Sequence, residues 1–271
     1  MLVSLLLSLR ACGDACLPGH LGRANYAEVL TQIQRVAPDV SAQIHAGNHG
    51  PKPLTCSGLW GARTTRQGAE IKQDQVYTLR VTGLTVQVAR SLHLALVETP
   101  PAIWTLAEHP FEPAGVTCDP QEHEWAGQTT YEELASYGLL QPGPPTSHVT
   151  LQFGSPTSFK SAGIHVPVPL PDLVFGSLVE RWNAFSPITL SPEMRRFGEE
   201  MIAISRYNLR SQAVHGKQGG LRIGGVGEVT YTALNRDRYW CALMQMLADF
   251  ALYSGVGVQT TMGMGQARRI G

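Results

Sequence analysis

The sequence predicts an α+β protein built of two ferredoxin-like (RRM-like) domains in tandem, each with the element order β-α-β-β-α-β. Strand-like and helix-like segments follow this order once over residues 1–140 and again over residues 141–271. The repetition lies in the order of elements, because the two halves share no residue-level repeat. At 271 residues, 43% of them hydrophobic, the chain is long enough to bury two modest cores.

The first half begins with an apolar run at residues 2–10, which we interpret as a buried strand. A helix is predicted over 23–36, because Tyr26, Leu30, Ile33 and Val36 recur at helical spacing. The elements expected after it are extended segments at 54–61 and 76–82, a helix at 84–97 and a strand at 102–107.

Residues 110–147 differ in character, with repeated prolines and the run Gln141–Thr146, and we expect a linker here. The order of elements then restarts. The predicted elements are a strand at 148–153, a helix at 173–185, strands at 203–213 and 223–233, and a helix at 239–253. The last helix has the clearest apolar stripe, formed by Tyr239, Leu243, Leu247 and Phe250.

Composition restricts the function. Lys and Arg together number 21 and so do Asp and Glu, so no global positive field draws the chain to nucleic acid or to a membrane. Any nucleic-acid site must be a local patch. The five cysteines are odd in number and scattered, which favours reduced thiols in a cytoplasm, and their spacing predicts no metal site. The short apolar N-terminus is more typical of a strand than of a signal peptide or membrane span.

A glycine-rich segment follows the last helix, with Gly255, Gly257, Gly263 and Gly265 in one short loop. Glycines at this density let backbone amides approach a ligand and form an anion-binding nest. A helix C-cap followed by a tight hairpin is the alternative interpretation. The segment is not a dinucleotide fingerprint, since Thr260 stands where the third glycine is needed, and no P-loop lysine follows.

The order of several motifs resembles the RAMP superfamily of CRISPR proteins, and within it the endoribonucleases that process CRISPR repeat transcripts (pre-crRNA). The glycine-rich loop at the end of the chain is similar to the loop of that superfamily. The other segments that carry the resemblance are Phe153–Phe159, Leu178–Asn183, Gly224–Tyr231 and the run Ile44–Thr55, which is similar to the family's active-site segment. The resemblance implies a tandem ferredoxin-like fold, binding of repeat RNA, and metal-independent cleavage that leaves a 2′,3′-cyclic phosphate and a 5′-hydroxyl, with no cofactor.

Metal-free RNA cleavage requires a base for the 2′-hydroxyl, a positive charge near the phosphorane and an acid for the leaving 5′-oxygen. His45 ends a short helical run from Pro38, and a helix C-terminus favours the cationic imidazolium, which can donate a proton. Lys52 follows in a Gly-Pro-Lys turn and is the candidate cation. Without the resemblance, the simpler interpretation is that His45 caps its helix and Lys52 is a solvated loop lysine.

The second proton carrier is less well defined. His20 and His49 are both candidates, and His20 lies in the loop before the first helix. Some relatives use a tyrosine on that helix as the base, and the corresponding position here is Leu30, which transfers no protons. Tyr26 lies one turn earlier on the same face and is the remaining candidate, although its place in the apolar stripe is typical of a core residue.

Residues 201–227 contain several cations and no Asp or Glu, which predicts a local basic patch. Alternate residues of a strand share a face, so Arg206 and Arg210 are expected to point together. RNA phosphates are the expected ligand, and a solvated surface hairpin is the alternative. The full set of candidate cationic RNA-binding residues is Arg206, Arg210, His215, Lys217, Arg222, Arg236, Arg238 and Arg268, with Arg269 as a further extension.

The sequence therefore predicts an endoribonuclease whose partner is CRISPR repeat RNA, acting as a monomer or homodimer with no membrane partner. Two alternatives remain open. One is a catalytically inactive RNA-binding subunit of a CRISPR effector complex, favoured by Leu30. The other is a small-molecule enzyme that binds an anionic substrate at the glycine-rich loop.

Overall fold

The computed structural model describes residues 1–46, 50–140, 143–215 and 220–271. They form two compact units. Unit 1 consists of Met1–Gln128 with Thr261–Gly263, and unit 2 consists of Thr129–Thr260 with Met264–Gly271.

Unit 1 contains a large sheet, a small sheet and three helices. The helices are α1 (Gly22–Val36), α2 (Pro38–Ala46) and α3 (Val86–His93), and α3 continues as a π-helical turn at Leu94–Glu98. The strands are β1 (Leu2–Ala11), β2 (Ala15–Leu17), β3 (Leu54–Cys56), β4 (Arg63–Thr64), β5 (Ala69–Ile71), β6 (Val76–Gly83), β7 (Trp104–Leu106), β8 (His109–Thr117) and β9 (Gly127–Thr129).

The large sheet of unit 1 has the order β3-β6-β1-β8-β7, and β9 also pairs with β1. The pairs β3/β6, β6/β1, β1/β8 and β8/β7 are antiparallel. One face of the sheet buries Leu5, Leu7 and Leu9 of β1 in a core that also contains Val29 and Ile33 of α1. The predicted strand at 2–10 and helix at 23–36 are confirmed.

The prediction of a linker over 110–147 is wrong for most of that segment. Pro113 is accommodated within β8 because it lies opposite Leu9, where the register with β1 shifts and the ladder is already interrupted. Helix α4 (Tyr131–Leu139) follows and begins with a capping box: Thr130 Oγ1 accepts from the Glu133 amide, and the Glu133 carboxylate accepts from the Thr130 amide.

Unit 2 has one main sheet, of order β13-β14-β10-β15. Besides α4 it contains α5 (Pro171–Phe185), α6 (Met194–Met201) and α7 (Arg238–Ser254). The strands are β10 (His148–Thr157), β11 (Phe159–Ser161), β12 (Ile164–Val166), β13 (Ile202–His215), β14 (Leu221–Ala233) and β15 (Ala267–Ile270). The first strand of each unit lies between two later strands, β6 and β8 in unit 1 and β14 and β15 in unit 2, as in the ferredoxin-like order, so the predicted fold class is confirmed. The strand predicted at 102–107 is β7, which pairs with β8 and not with β1.

Helix α7 forms the core of unit 2, with Leu247 and Phe250 fully buried. The Phe250 ring packs edge to face on Trp182 of α5 at 5.1 Å, and Tyr131 of α4 packs on the same indole at 4.9 Å. Through this contact α4 is grouped with unit 2, although the sequence placed the division at 140/141. Tyr239, the first member of the predicted stripe, is 43% exposed.

No helix in the described ranges combines the length and the apolar character needed to cross a bilayer.

Candidate catalytic site and nucleic-acid interface

The Lys52 ammonium lies at the C-terminal end of α2, against the backbone of Ile44 and His45. His45 lies in the last turn of the helix, and its side chain is exposed. The Lys52 ammonium donates to the carbonyl oxygen of Ile44 at 2.5 Å and lies 3.5 Å from that of His45. Lys52 is therefore not a solvated loop lysine. It compensates the partial negative charge of the helix end, next to the candidate acid.

His20 lies before α1 and contacts the segment that follows α7. Its Nε2 is 2.5 Å from the carbonyl oxygen of Met262, and a Cβ added at Gly263 would lie 2.9 Å from its Cε1. Burial lowers the pKa of His20 below its usual range, and the hydrogen bond to Met262 opposes this only in part. The ring is thus neutral near pH 7. With Nε2–H donating to Met262, Nδ1 is the ring's proton acceptor.

Tyr26 is only partly buried and packs, with Leu30, at the edge of the unit 1 core. The most buried face of α1 is formed by Asn25, Val29 and Ile33, so the predicted stripe lies beside its centre. Burial raises the pKa of the Tyr26 phenol, and the nearby Cys56 adds to this. The phenol therefore stays protonated near neutral pH. His49 lies outside the described residues.

The glycine-rich loop uses most of its amides within the protein. The amide of Gly255 donates to Ala251, that of Gly257 to the hydroxyl of Ser177 and that of Gly265 to the carbonyl of Pro156. These three amides already have hydrogen-bond partners within the protein, so they do not form an open anion-binding nest. All four glycines have positive φ, and a Cβ at Gly265 would lie 2.1 Å from the Val256 carbonyl oxygen. The positive φ angles and the close packing of the backbone explain why glycine occupies these positions.

Arg181 was not singled out from the sequence, yet it holds this loop. Its guanidinium donates from Nη2 to the Gly257 carbonyl at 2.6 Å, and only 8% of the residue is exposed. Burial lowers the pKa of Arg181 to about 10. The sequence did contain a signal for a structural role of Arg181. It lies beside the apolar residues Leu178 and Trp182 of α5, inside a segment that carries the family resemblance.

The register of β13 and β14 settles the orientation of the basic hairpin. Arg206 lies opposite Thr230, Arg210 opposite Val226 and Arg222 opposite Val214, with no register shift between these pairs. Alternation along the strands puts the three arginines on one face, which confirms the prediction for Arg206 and Arg210. The His215 side chain and Lys217 both lie outside the described part of the chain.

The remaining candidate cations lie elsewhere in unit 2. Arg236 and Arg238 are exposed on either side of Asp237, whose carboxylate caps the first amides of α7, and they line a cavity of about 580 Å³. Arg268 donates from Nε to Gln152 Oε1 at 2.8 Å, and Arg269 forms an ion pair with Asp249 at 3.2 Å.

Among the described residues, no group of three or more His, Cys, Asp or Glu side chains is arranged to hold a metal ion.

The chain is similar to proteins of one family. The family model of the CRISPR-associated endoribonuclease Cas6 matches residues 151–267. Cas6 of Mycobacterium tuberculosis is 30% identical over 129 residues, which are 46% of this chain and 40% of that protein. Cas6 of Streptococcus thermophilus is 29% identical over 126 residues, 44% of this chain and 49% of that protein. The matched segment thus spans less than half the length of these curated relatives.

Similarity of structure extends over the whole chain. A product complex of Thermus thermophilus Cas6 has 27% sequence identity and a TM-score of 0.78, and the match covers all of both chains. The segments that match in sequence include the strands and helices of unit 2 that carry the basic hairpin and the glycine-rich loop. The chain is therefore similar to the CRISPR-associated endoribonucleases named Cas6, in sequence over residues 151–267 and in structure over its whole length.

Proposed function

We propose that this protein is an endoribonuclease that cleaves CRISPR repeat transcripts into guide RNAs without a metal ion. The observation that carries the proposal is the position of the Lys52 ammonium on the backbone carbonyls of Ile44 and His45, at the end of α2 where the His45 side chain is exposed. A proton donor and a fixed cation at one exposed place are two of the three groups that metal-free cleavage requires. The products are a 2′,3′-cyclic phosphate and a 5′-hydroxyl.

In the proposed reaction, a base removes the 2′-hydroxyl proton and O2′ attacks the adjacent phosphorus. Lys52 stabilises the negative charge that develops on the phosphorane oxygens. The P–O5′ bond breaks while His45 donates its proton to O5′. His45 is assigned this role because its exposed side chain lies in the last turn of α2, next in sequence to the carbonyl group that binds Lys52.

The base is assigned to His20 in preference to Tyr26. A neutral imidazole accepts a proton at Nδ1, and burial keeps His20 neutral. The raised pKa of Tyr26 keeps its phenol protonated, so it is less suited to act as the base. His49 remains the other candidate, adjacent in sequence to the His45–Lys52 pair.

The basic face of the hairpin supports binding of the repeat RNA. Arg210 and Arg222 lie on one face of two long paired strands, an arrangement that suits the spaced phosphates of an RNA stem. The proposal places the protein in the cytoplasm, in keeping with five cysteines that are all free thiols. The protein acts as a monomer or homodimer.

The test is incubation of the purified protein with repeat RNA from its own genome in the presence of EDTA. We expect one cut per repeat. The same RNA carrying a 2′-deoxy nucleotide before the cut should bind with nearly unchanged affinity and remain intact, because only the nucleophile is lost. A requirement for Mg²⁺, or cleavage of the deoxy substrate, would contradict the mechanism. Tight binding with no cleavage would favour the inactive RNA-binding subunit.

A further inference from the structure

The main sheet of unit 2 carries a cavity of about 300 Å³ on one of its faces. The opposite face buries Leu151, Val229 and Tyr231 in the core. Residues that alternate with these line the cavity, so its wall and floor are polar. They are Thr150, Arg206, Asn208, Glu228 and Thr230, and Tyr207, Ile270 and Gly271 complete the lining.

Glu228 is out of place in a surface that only binds phosphates. It lies opposite Asn208 on β13, two residue pairs from the Arg206–Thr230 pair, and its side chain is exposed. A carboxylate at this point repels RNA phosphates and weakens binding by neighbouring arginines. Phosphate binding alone therefore does not explain the presence of Glu228.

Three of the polar side chains that line the cavity have no hydrogen-bond partner among the described residues. Neither Glu228, Arg206 nor Asn208 makes a side-chain hydrogen bond or ion pair to any residue that the structure describes. The guanidinium offers donors, the carboxylate offers acceptors and the amide offers both. Their ligand must therefore present donors and acceptors together, which a phosphate does not.

The floor of the cavity is rigid. Thr150 and Thr230 are directly opposite each other on β10 and β14, and their hydroxyls are hydrogen-bonded at 2.9 Å. All the polar residues that line the cavity project from paired strands rather than from loops. A site built on regular strands holds its polar groups at fixed spacing, as recognition of a planar ligand requires.

The geometry points to a base-reading site in which Glu228 and Arg206 recognise an unpaired guanine of the RNA. Guanine is the base whose Watson–Crick edge presents two adjacent N–H donors, at N1 and N2, which a carboxylate can accept together. Its O6 and N7 accept from an arginine fork. The inference rests on the proposed RNA-binding function and adds sequence selectivity to it, since phosphate contacts alone carry none.

The experiment uses the full chain and fluorescent single-stranded RNA hexamers. Each hexamer is a uridine strand with a single central guanosine, inosine, adenosine or cytidine, and binding is measured by anisotropy. Inosine lacks only the N2 amino group of guanine. We expect the guanosine hexamer to bind about tenfold more tightly than the adenosine hexamer, a factor at the low end for a bidentate side chain–base pair, and inosine to lie between them.

Glu228→Gln separates base reading from simple electrostatics. Base reading predicts that this variant loses the preference for guanosine, to within about twofold of adenosine. A carboxylate that only repels phosphates predicts tighter binding of all four hexamers with their ratios unchanged, and that result would overturn the inference. Glu193→Gln, at the start of α6, makes the same charge change away from the cavity and serves as the control.

A second variant and a second assay complete the test. Arg206→Lys keeps the charge but not the fork, so it should also reduce the guanosine preference. Equal binding of all four hexamers by the wild-type protein would overturn the inference too. Cleavage of the repeat RNA in EDTA, measured in parallel, shows whether the proposed function itself holds in that case.

Discussion

The ammonium of Lys52 donates to the carbonyl oxygen of Ile44 at 2.5 Å. This hydrogen bond keeps a positive charge at the end of α2, and Ile44 directly precedes His45 in the sequence. Lys52→Met keeps most of the stem and removes the charge. Loss of the helix-end interaction should lower stability by about 0.3–1 kcal/mol. Loss of charge stabilisation should slow single-turnover cleavage by about 10²-fold.

Lys72→Met is the control for this prediction, since Lys72 is exposed and pairs with Asp14 on the surface of unit 1. We expect it to cleave like the wild type. If Lys52→Met is less stable but cleaves at the wild-type rate, Lys52 is a helix cap and has no part in catalysis.

The glycine-rich loop is tested by Gly265→Ala. The new Cβ would meet the Val256 carbonyl oxygen, and the residue has φ +69°. The clash and the strain should destabilise the protein by about 2 kcal/mol or more, read as a lower Tm without RNA. Gly115→Ala in β8 is the control, because nothing lies within 4 Å of the added Cβ. An unchanged Tm with lost RNA affinity would instead favour a direct contact with RNA.

The sequence predicts most of the fold because periodicity reports burial directly. Leu243, Leu247 and Phe250 on α7 and the apolar run of β1 are all buried as expected. The linker prediction failed because prolines were weighed more heavily than the capping-box pair Thr130 and Glu133, which was visible in the sequence. Pro113 is compatible with a strand only because of the shift opposite Leu9, and a sequence does not reveal registers.

The site was less predictable than the fold. Periodicity does not reveal a contact between a side chain and a distant backbone carbonyl, such as Lys52 with Ile44 or Arg181 with Gly257. The glycine spacing is compatible with both a nest and close packing, and only the hydrogen-bond partners of the amides distinguish them. Glu228 lies one residue beyond the stretch free of carboxylates, and only the strand register shows that it shares a face with Arg206.

His20 makes stability depend on pH. Burial lowers its pKa, so the folded protein binds this proton more weakly than the unfolded chain, in which histidine titrates near about 6.5. The stability due to neutral His20 is complete above about pH 6.5 and is lost as the pH falls from there toward the lower folded pKa. His20→Gln does not titrate and should lose less in Tm between pH 7.5 and 5 than the wild type does.

His165→Gln, on the exposed strand β12, should keep the wild-type pH dependence. Identical Tm profiles of the wild type and His20→Gln would show that the partly buried imidazole does not control stability in this range.

Phosphate binding is tested by combining Arg210→Ala with Arg222→Ala, both outside the cavity that contains Glu228. Two lost phosphate contacts should reduce the slope of log K against log salt by roughly 1.5–2. Arg63→Ala with Arg66→Ala removes two exposed arginines of unit 1 and should leave the slope unchanged. Equal slopes for the wild type and the Arg210/Arg222 variant would show that RNA binds another surface.

The most direct test of the account is the single-turnover rate of repeat-RNA cleavage by His45→Ala in EDTA. General acid–base catalysis contributes ~10²–10⁴-fold, so the variant should be at least about 10²-fold slower. Its RNA affinity should change by less than about threefold, because His45 acts on the leaving oxygen in the transition state. His20→Ala and His49→Ala, measured beside it, identify the second proton carrier. Cleavage by His45→Ala at near the wild-type rate would contradict the proposed active site.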